Sequence, residues 1–368
     1  MKILVLSSHT PSLFWFRLDL IHAFQNVGAE VIAVGPDFSK KWINAFNKEG
    51  IEYRCVPVSR NGLNVFADVK TYKAIRKLIK EVQPDKIFTY QAKTIVYGAL
   101  AAKTSGRSEV YPLVAGLGSI FRGNGFKNKV VKVILSIQYK LAFKYSKKVI
   151  FQNNDDRAEL VNLGLLNQEK TCIIHGSGVN IVSFTPKIFP EQKAILFIGR
   201  LIGDKGVREY LSLSKRLKEK RKDLRCLLVG PFDTNPSALT SAELQPYIDK
   251  GIVEYFGEQK DIKPYIMQCT VYVLPSYHEG TPKTVLEAMA MGRPVVTTDA
   301  PGCRDTVIDG VNGYLVPIKN VDALENAVNK ILDNQILAER FGTESRKIAE
   351  EKFDVKKVNE SIMKIMSI

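Results

Sequence analysis

The chain reads as an α/β protein built from two Rossmann-like halves with parallel sheets. Three observations carry that expectation. Strand-like runs rich in Ile, Val and Leu alternate with helical stretches from end to end, the pattern of βαβ units. Two runs, Lys2-Ile-Leu-Val-Leu-Ser and Ala194-Ile-Leu-Phe-Ile-Gly, each read as the opening strand of a doubly wound domain. A length of 368 residues also suggests two domains with ample core.

In the first half the strand candidates are Ile3–Leu6, Val31–Val34, Lys86–Thr89, Val110–Val114, Lys148–Gln152 and Thr171–Ile174. In the second they are Ala194–Gly199, Cys226–Val229, Ile252–Tyr255, Val271–Leu274, Pro294–Thr297 and Gly313–Val316. Asn180–Gln192, with Pro186 and Pro190 and no clear period, reads as the linker. Domains of 1–185 and 186–352 follow, with Phe353–Ile368 as a terminal helix bearing Val355, Val358, Ile362, Ile365 and Met366 at helical spacing. Asp68–Val82 reads as a basic helix capped by Asp68. Phe126–Lys148 is the most distinctive helix. Val130, Val131, Ile134, Leu135, Ile137, Leu141 and Ala142 form a wide apolar stripe among seven lysines. Such a helix lies in a membrane interface or packs on a core with a solvated basic face, and periodicity alone does not separate the two.

Composition narrows the function classes. No uninterrupted apolar run reaches the length of a membrane span, and the N-terminus enters a strand without a secretory signal pattern. The five cysteines are scattered, with no CxxC pair and nothing resembling a zinc set, which fits reduced thiols in the cytoplasm. The four histidines are too dispersed to propose a metal-ligand set. The net charge of +15 is uneven. Residues 1–185 hold 26 Lys and Arg against 13 Asp and Glu, whereas residues 186–368 hold 27 against 25. The first half is therefore expected to meet something anionic.

Two constellations carry the chemistry. Glu279 follows the run Val271-Tyr-Val-Leu-Pro in a polar loop, and Glu287 lies about one turn into a helix read as Thr284–Met291. Ligands bind at that edge of open α/β sheets, and the first amides of a helix attract phosphate. A carboxylate beside a phosphate site needs a hydroxyl-rich partner, which points to a nucleotide sugar. The plainer alternative is a βαβ unit with solvated surface glutamates. Separately, Gly199-Arg200 closes the first strand of the second half, and Lys205-Gly206 precedes the next helix. Two cations at one strand edge suit a diphosphate, unless they are simply surface charges.

The Glu279/Glu287 spacing, with Leu286-Glu-Ala-Met-Ala and Gly292-Arg-Pro-Val-Val after it, resembles the E-x7-E signature of retaining GT-B glycosyltransferases of family 4. Gly199-Arg200 with Lys205-Gly206 resembles the GR-x-x-x-x-KG element of the same family. The resemblance implies two facing Rossmann-like domains and a C-terminal crossover helix. It implies that Arg200 and Lys205 clamp the donor diphosphate, Glu279 faces the transferred sugar and Glu287 accepts the ribose hydroxyls. Gly199, Gly280, Thr281, Lys283 and Thr284 complete the donor set, with the nucleobase near Phe256-Gly-Glu-Gln259; Pro282 has no amide to offer.

On the acceptor side, Ser7-Ser8-His9 stands where relatives often carry glycines, so His9 is a candidate without a backbone cradle. Gly116-Leu-Gly118-Ser119 is similar to the subset acting on polyprenyl-diphosphate-linked oligosaccharides, with Arg122 and Lys127 placed to meet the acceptor diphosphate. Thr298–Asp305 resembles members that transfer N-acetylhexosamines. The implied enzyme is a hexosyltransferase that takes GalNAc, GlcNAc or a related hexose from a UDP-sugar. It forms an α-linkage on an undecaprenyl-diphosphate-type saccharide for a surface polysaccharide such as O-antigen or capsule. It needs no metal or other cofactor, binds no nucleic acid, and sits peripherally on an anionic membrane at the inner face of the cytoplasmic membrane. The rivals are a nucleotide-sugar epimerase on the same fold and a basic nucleic-acid binder, the latter without aromatic interleaving or a binding motif.

Overall fold

The computed structural model describes residues 1–59, 64–106, 108–118, 121 and 126–368, with the backbone alone for 126–128. The chain divides into two compact units: Met1–Ser177 together with Val358–Ile368, and Gly178–Lys357.

The first unit holds a seven-stranded sheet, parallel throughout, in the order β3-β2-β1-β4-β5-β6-β7. Its strands are β1 (Lys2–Ser7), β2 (Glu30–Gly35), β3 (Glu52–Cys55), β4 (Lys86–Tyr90), β5 (Glu109–Val114), β6 (Val149–Phe151) and β7 (Thr171–Ile173). Its helices are α1 (Thr10–Asn26), α2 (Lys40–Lys48), α3 (Val65–Val82), α4 (Ala92–Ser105), α5 (Phe126–Lys144) and α6 (Asn154–Asn162). The pleat sends alternate residues of β1 to opposite faces. Ile3 and Val5 pack with Leu13, Phe24 and Phe46 of α1 and α2, while Leu4 and Leu6 pack with Ile75, Ala99 and Phe143 of α3, α4 and α5. Both faces are covered, which is why these strands read as continuous apolar runs rather than alternating ones.

The second unit holds a six-stranded parallel sheet in the order β10-β9-β8-β11-β12-β13. Its strands are β8 (Ala194–Ile198), β9 (Arg225–Val229), β10 (Glu254–Tyr255), β11 (Val271–Leu274), β12 (Val295–Thr298) and β13 (Gly313–Val316). Around them run α7 (Val207–Lys220), α8 (Ser241–Asp249), α9 (Lys263–Met267), α10 (Lys283–Ala290), α11 (Val321–Leu332) and α12 (Gln335–Lys352). The last helix, α13 (Val355–Met366), brings Val358, Ile362 and Met366 into the first unit's core. In each sheet the strand order reverses once, between β1 and β4 and between β8 and β11. Loops diverge outside the carboxyl ends of those pairs and leave a crevice for ligands.

Several local readings change. β3 is an added edge strand whose alternating Glu52-Tyr-Arg-Cys buries only Tyr53 fully. α3 starts earlier than expected. Asn64 is its cap, with Oδ1 accepting from Ala67 N at 3.1 Å, and Asp68 instead pairs with Lys93 at 2.6 Å. α5 ends at Lys144, short of Lys148. Asn180–Gln192 lies within the second unit. Just before it Val179 N donates to Phe353 O at 2.8 Å, and within it Phe184 O accepts from Arg346 Nη1 at 2.7 Å. α5 is part core and part surface. Tyr139, Ala142 and Phe143 are core, while Val130, Val133, Ile134, Ile137 and Leu141 form an exposed stripe.

Candidate active site

The two motif loops meet at the strand-order reversal of the second sheet. Gly199 and Arg200 follow β8, Lys205 ends the 3-10 turn Gly203–Lys205, and the Glu279 loop follows β11. The Lys205 turn lies directly on the post-β11 loop. Asp204 O accepts from Tyr277 N at 2.9 Å and from Ser276 Oγ at 3.1 Å. Gly206 has φ +71°, and a Cβ there would stand 2.1 Å from Pro275 O, so only glycine permits this approach. Glu279 is held from the other side. Its N–H donates to Pro301 O at 2.9 Å, and Gly302, at φ +73°, would place a Cβ 2.2 Å from Glu279 O. The result is a part-buried hydrogen-bonded ion pair between Lys205 Nζ and Glu279 Oε1.

Glu287 lies on α10 and is 8% exposed. Among the described residues none donates a hydrogen bond to its carboxylate, and Lys283 Nζ approaches only to 4.0 Å. Burial pushes its pKa up to about 7, with Lys283 offsetting this in part. Beside it Tyr272 Oη meets Thr284 Oγ1 at 2.7 Å and lies 3.1 Å from Ile198 O, joining α10 to the end of β8. α10 begins after Pro282 with no side-chain cap. A positioned ammonium, a carboxylate lacking donors and an uncapped helix start suit a ligand that carries phosphates and adjacent hydroxyls.

Other expected residues take separate places. Arg200, 45% exposed on its side chain, pairs with Asp233 at 2.8 Å rather than with Glu279. Gln259 Nε2 donates to Phe256 O at 2.6 Å within its own loop, and Gly199 N donates to Val229 O at 3.0 Å. Gly280 and Thr281 form the approach to α10. In the first unit His9 is the N-cap residue of α1, and Gly116 and Gly118, both at positive φ, follow β5. Ser119, Arg122 and the Lys127 side chain lie outside the described residues. Sequence reasoning missed Tyr272, Ser276, Tyr277 and Gly302. Only Gly302, in the Pro-Gly of Ala300-Pro-Gly-Cys, carried a local signal of close backbone approach.

Residues 2–153 match the family model described as glycosyl transferase 4-like, and residues 181–348 the one described as glycosyl transferases group 1. The chain is 31% identical to the N,N'-diacetylbacillosaminyl-diphospho-undecaprenol alpha-1,3-N-acetylgalactosaminyltransferase of Campylobacter jejuni, over 92% of this chain and 91% of that one. It is 24% identical to the UDP-Gal:alpha-D-GlcNAc-diphosphoundecaprenol alpha-1,3-galactosyltransferase of Escherichia coli, over 77% and 75% of the two chains. Among solved structures, Anabaena HepE in complex with UDP and glucose superposes with a TM-score of 0.80 at 19% identity, covering 100% of this chain and 99% of that one. With its two parallel-sheet units and a terminal helix that returns to the first, the chain belongs to the group 1, family 4-like glycosyltransferases of GT-B fold.

Proposed function

We propose that this glycosyltransferase moves an N-acetylhexosamine, GalNAc ahead of GlcNAc or a related hexose, from a UDP-sugar onto a polyprenyl-diphosphate-linked saccharide. The transfer retains configuration and forms an α-linkage in the assembly of a surface polysaccharide. The observation that carries the donor reading is Glu287, a carboxylate buried at the crevice edge with no hydrogen-bond donor among the described residues. The vicinal ribose hydroxyls of a nucleotide supply the two donors it lacks. Lys205 and Arg200 take the diphosphate and stabilise the charge that grows as UDP leaves, and Glu279 holds Lys205 in place on the sugar side. The acceptor oxygen bonds to the anomeric carbon as the bond from that carbon to the phosphate oxygen breaks, and the leaving phosphate takes the acceptor proton. No step requires a metal ion. The named activities of the Campylobacter and Escherichia relatives support the acceptor class.

A lipid-linked acceptor also requires a membrane. No helix among the described residues is long and apolar enough to cross one. The stripe Val130, Val133, Ile134, Ile137 and Leu141 on α5, flanked by Lys129, Lys140 and Lys144, has the form of an interfacial helix for the anionic inner face of the cytoplasmic membrane. The test is a panel of UDP-sugars with purified protein, a polyprenyl-diphosphate-saccharide acceptor and chelator present, with product linkage determined. Folded protein that turns over no sugar nucleotide refutes the function, and activity that appears only on adding a divalent cation refutes the metal-free step.

A further inference from the structure

We infer that Arg17 is a binding residue for a diphosphate in the first unit, and that this diphosphate is the one carried by the lipid-linked acceptor. The inference rests on the reading above. Arg17 projects from α1 and is 3% exposed. Its guanidinium lies over two aromatic rings of β4, 5.1 Å from the Tyr90 centroid and 5.9 Å from that of Phe88. Its edge carries five N–H donors, and among the described residues none accepts a hydrogen bond from it and no carboxylate pairs with it; Nε is wholly buried without a partner.

A structural arginine in this protein looks different. Arg293 is also buried and its Nη1 likewise lacks a partner, yet its Nε donates to Ile266 O at 3.0 Å, and its Nη2 donates to Ile188 O at 3.0 Å and Met267 O at 3.1 Å. Burial lowers the Arg17 pKa to about 10, which leaves it charged at neutral pH. A buried cation without acceptors is unfavourable, and aromatic faces offset that only in part. An anion with several oxygens completes the guanidinium fork.

The location is that of a ligand site. Tyr90 ends β4 and Ser7 ends β1, the pair between which the first sheet reverses its strand order. The loop there is set by Gln91, whose φ of 73° and ψ of 141° are strained for a residue other than glycine. Its Oε1 accepts from Ser7 Oγ at 2.9 Å, Ser8 N at 2.8 Å and Ser8 Oγ at 2.7 Å, and its Nε2 donates to Ser12 Oγ at 3.2 Å. Ser12 Oγ in turn meets Tyr90 Oη at 3.0 Å. A rigid rim of hydroxyls thus stands beside a buried cation. Arg200 and Lys205 are assigned to the donor diphosphate, and the remaining diphosphate in the reaction is that of the acceptor.

The experiment is calorimetric titration of the full chain, with UDP saturating the second unit. Farnesyl diphosphate, inorganic pyrophosphate and farnesol are compared on wild type, Arg17→Met and Arg17→Lys. Wild type is expected to bind farnesyl diphosphate and not farnesol. Arg17→Met should weaken that binding by at least about 30-fold, Arg17→Lys less, with UDP affinity unchanged in both. Thermal melts add a readout that a structural role would move the other way. Arg17→Met should melt at or above the wild-type temperature, and farnesyl diphosphate should raise the midpoint of wild type but not of the variant. Equal diphosphate binding by wild type and Arg17→Met overturns the inference, as does a lower melting temperature in both variants. Arg17-dependent binding of pyrophosphate without binding of farnesyl diphosphate overturns the acceptor assignment. Loss of UDP binding by wild type itself would instead sink the proposed function.

Discussion

Replacing Glu287 by Gln separates the donor-site reading from ordinary packing. The carboxyl group is held at about 7, against an unfolded value near 4.5. The folded state therefore binds more protons than the unfolded state between those values, and stability falls as pH rises through that window. At 1.36 kcal/mol per unit, an ionised Glu287 costs the fold about 3 kcal/mol at pH 8 but only about 1 kcal/mol at pH 5. A glutamine of the same shape carries no such penalty. For a unit of this size 1 kcal/mol moves Tm by about 2–4 °C, so Glu287→Gln should melt about 6–12 °C above wild type at pH 8, with most of that gap gone at pH 5. Function should move oppositely. The ionised carboxylate accepts two ribose hydroxyls, and hydrogen bonds to a charged group contribute about 1.5–3 kcal/mol. UDP affinity should fall by about 10- to 100-fold in the variant at pH 8, and in wild type it should weaken as pH drops below 7. Differential scanning calorimetry and isothermal titration across pH 5–8 measure both. A variant less stable than wild type at pH 8, or one with unchanged UDP affinity, refutes the assignment of Glu287 to the nucleotide.

Lys205→Ala should lower kcat by about 10²–10³ in steady-state transfer assays at saturating donor. Arg200→Ala should do the same while leaving Tm close to wild type, because its side chain is half exposed and its ion pair with Asp233 contributes little. Gly302→Ala forces a Cβ to 2.2 Å from Glu279 O at positive φ. It should cost about 2–4 kcal/mol in urea unfolding and lose activity beyond what the lost stability explains. The α5 double variant Val133→Glu/Ile137→Glu alters only exposed side chains, so Tm should hold while co-sedimentation with anionic vesicles falls by about tenfold or more.

The alternation of strands and helices was readable because parallel strands covered on both faces must be apolar throughout, as in Ile3–Leu6 and Ala194–Ile198. β3 escaped notice for the opposite reason. An edge strand with one fully buried residue, Tyr53, leaves little trace in hydropathy. The start of α3 was misplaced because Asn64 and Asp68 are both good caps, and only the partner Lys93, supplied by another helix, shows why Asp68 stays in the first turn. The seven-residue interval between Glu279 and Glu287 was likewise visible, but it says nothing of their difference. Glu279 pairs with Lys205, placed by backbone approaches at Gly206 and Gly302 that no spacing reveals, whereas among the described residues Glu287 has no donor.

The two strand-order reversals show how far local sequence can reach. In the second unit the residues proposed to meet the donor fall in two short motifs, Arg200 and Lys205 after β8 and Glu279 and Glu287 between β11 and the end of α10, so local spacing was enough to nominate them. In the first unit the matching place is made from Ser7 at the end of β1 and Ser8 after it, Arg17 two turns into α1, and Tyr90 at the end of β4 with Gln91 after it. Arg17 stands within Phe14-Trp-Phe-Arg-Leu-Asp-Leu, where an arginine reads as the polar side of a helix. Only the register Ser7↔Tyr90 between β1 and β4 puts Phe88 and Tyr90 beneath it. A buried charge without a partner is a tertiary fact, since nothing local to α1 determines whether an acceptor lies nearby. The positive charge of the first half thus includes exposed lysines along α3 and α5, buried lysines with carboxylate partners such as Lys86 with Glu109, and Arg17, which is buried without an acceptor among the described residues and which we infer substrate completes.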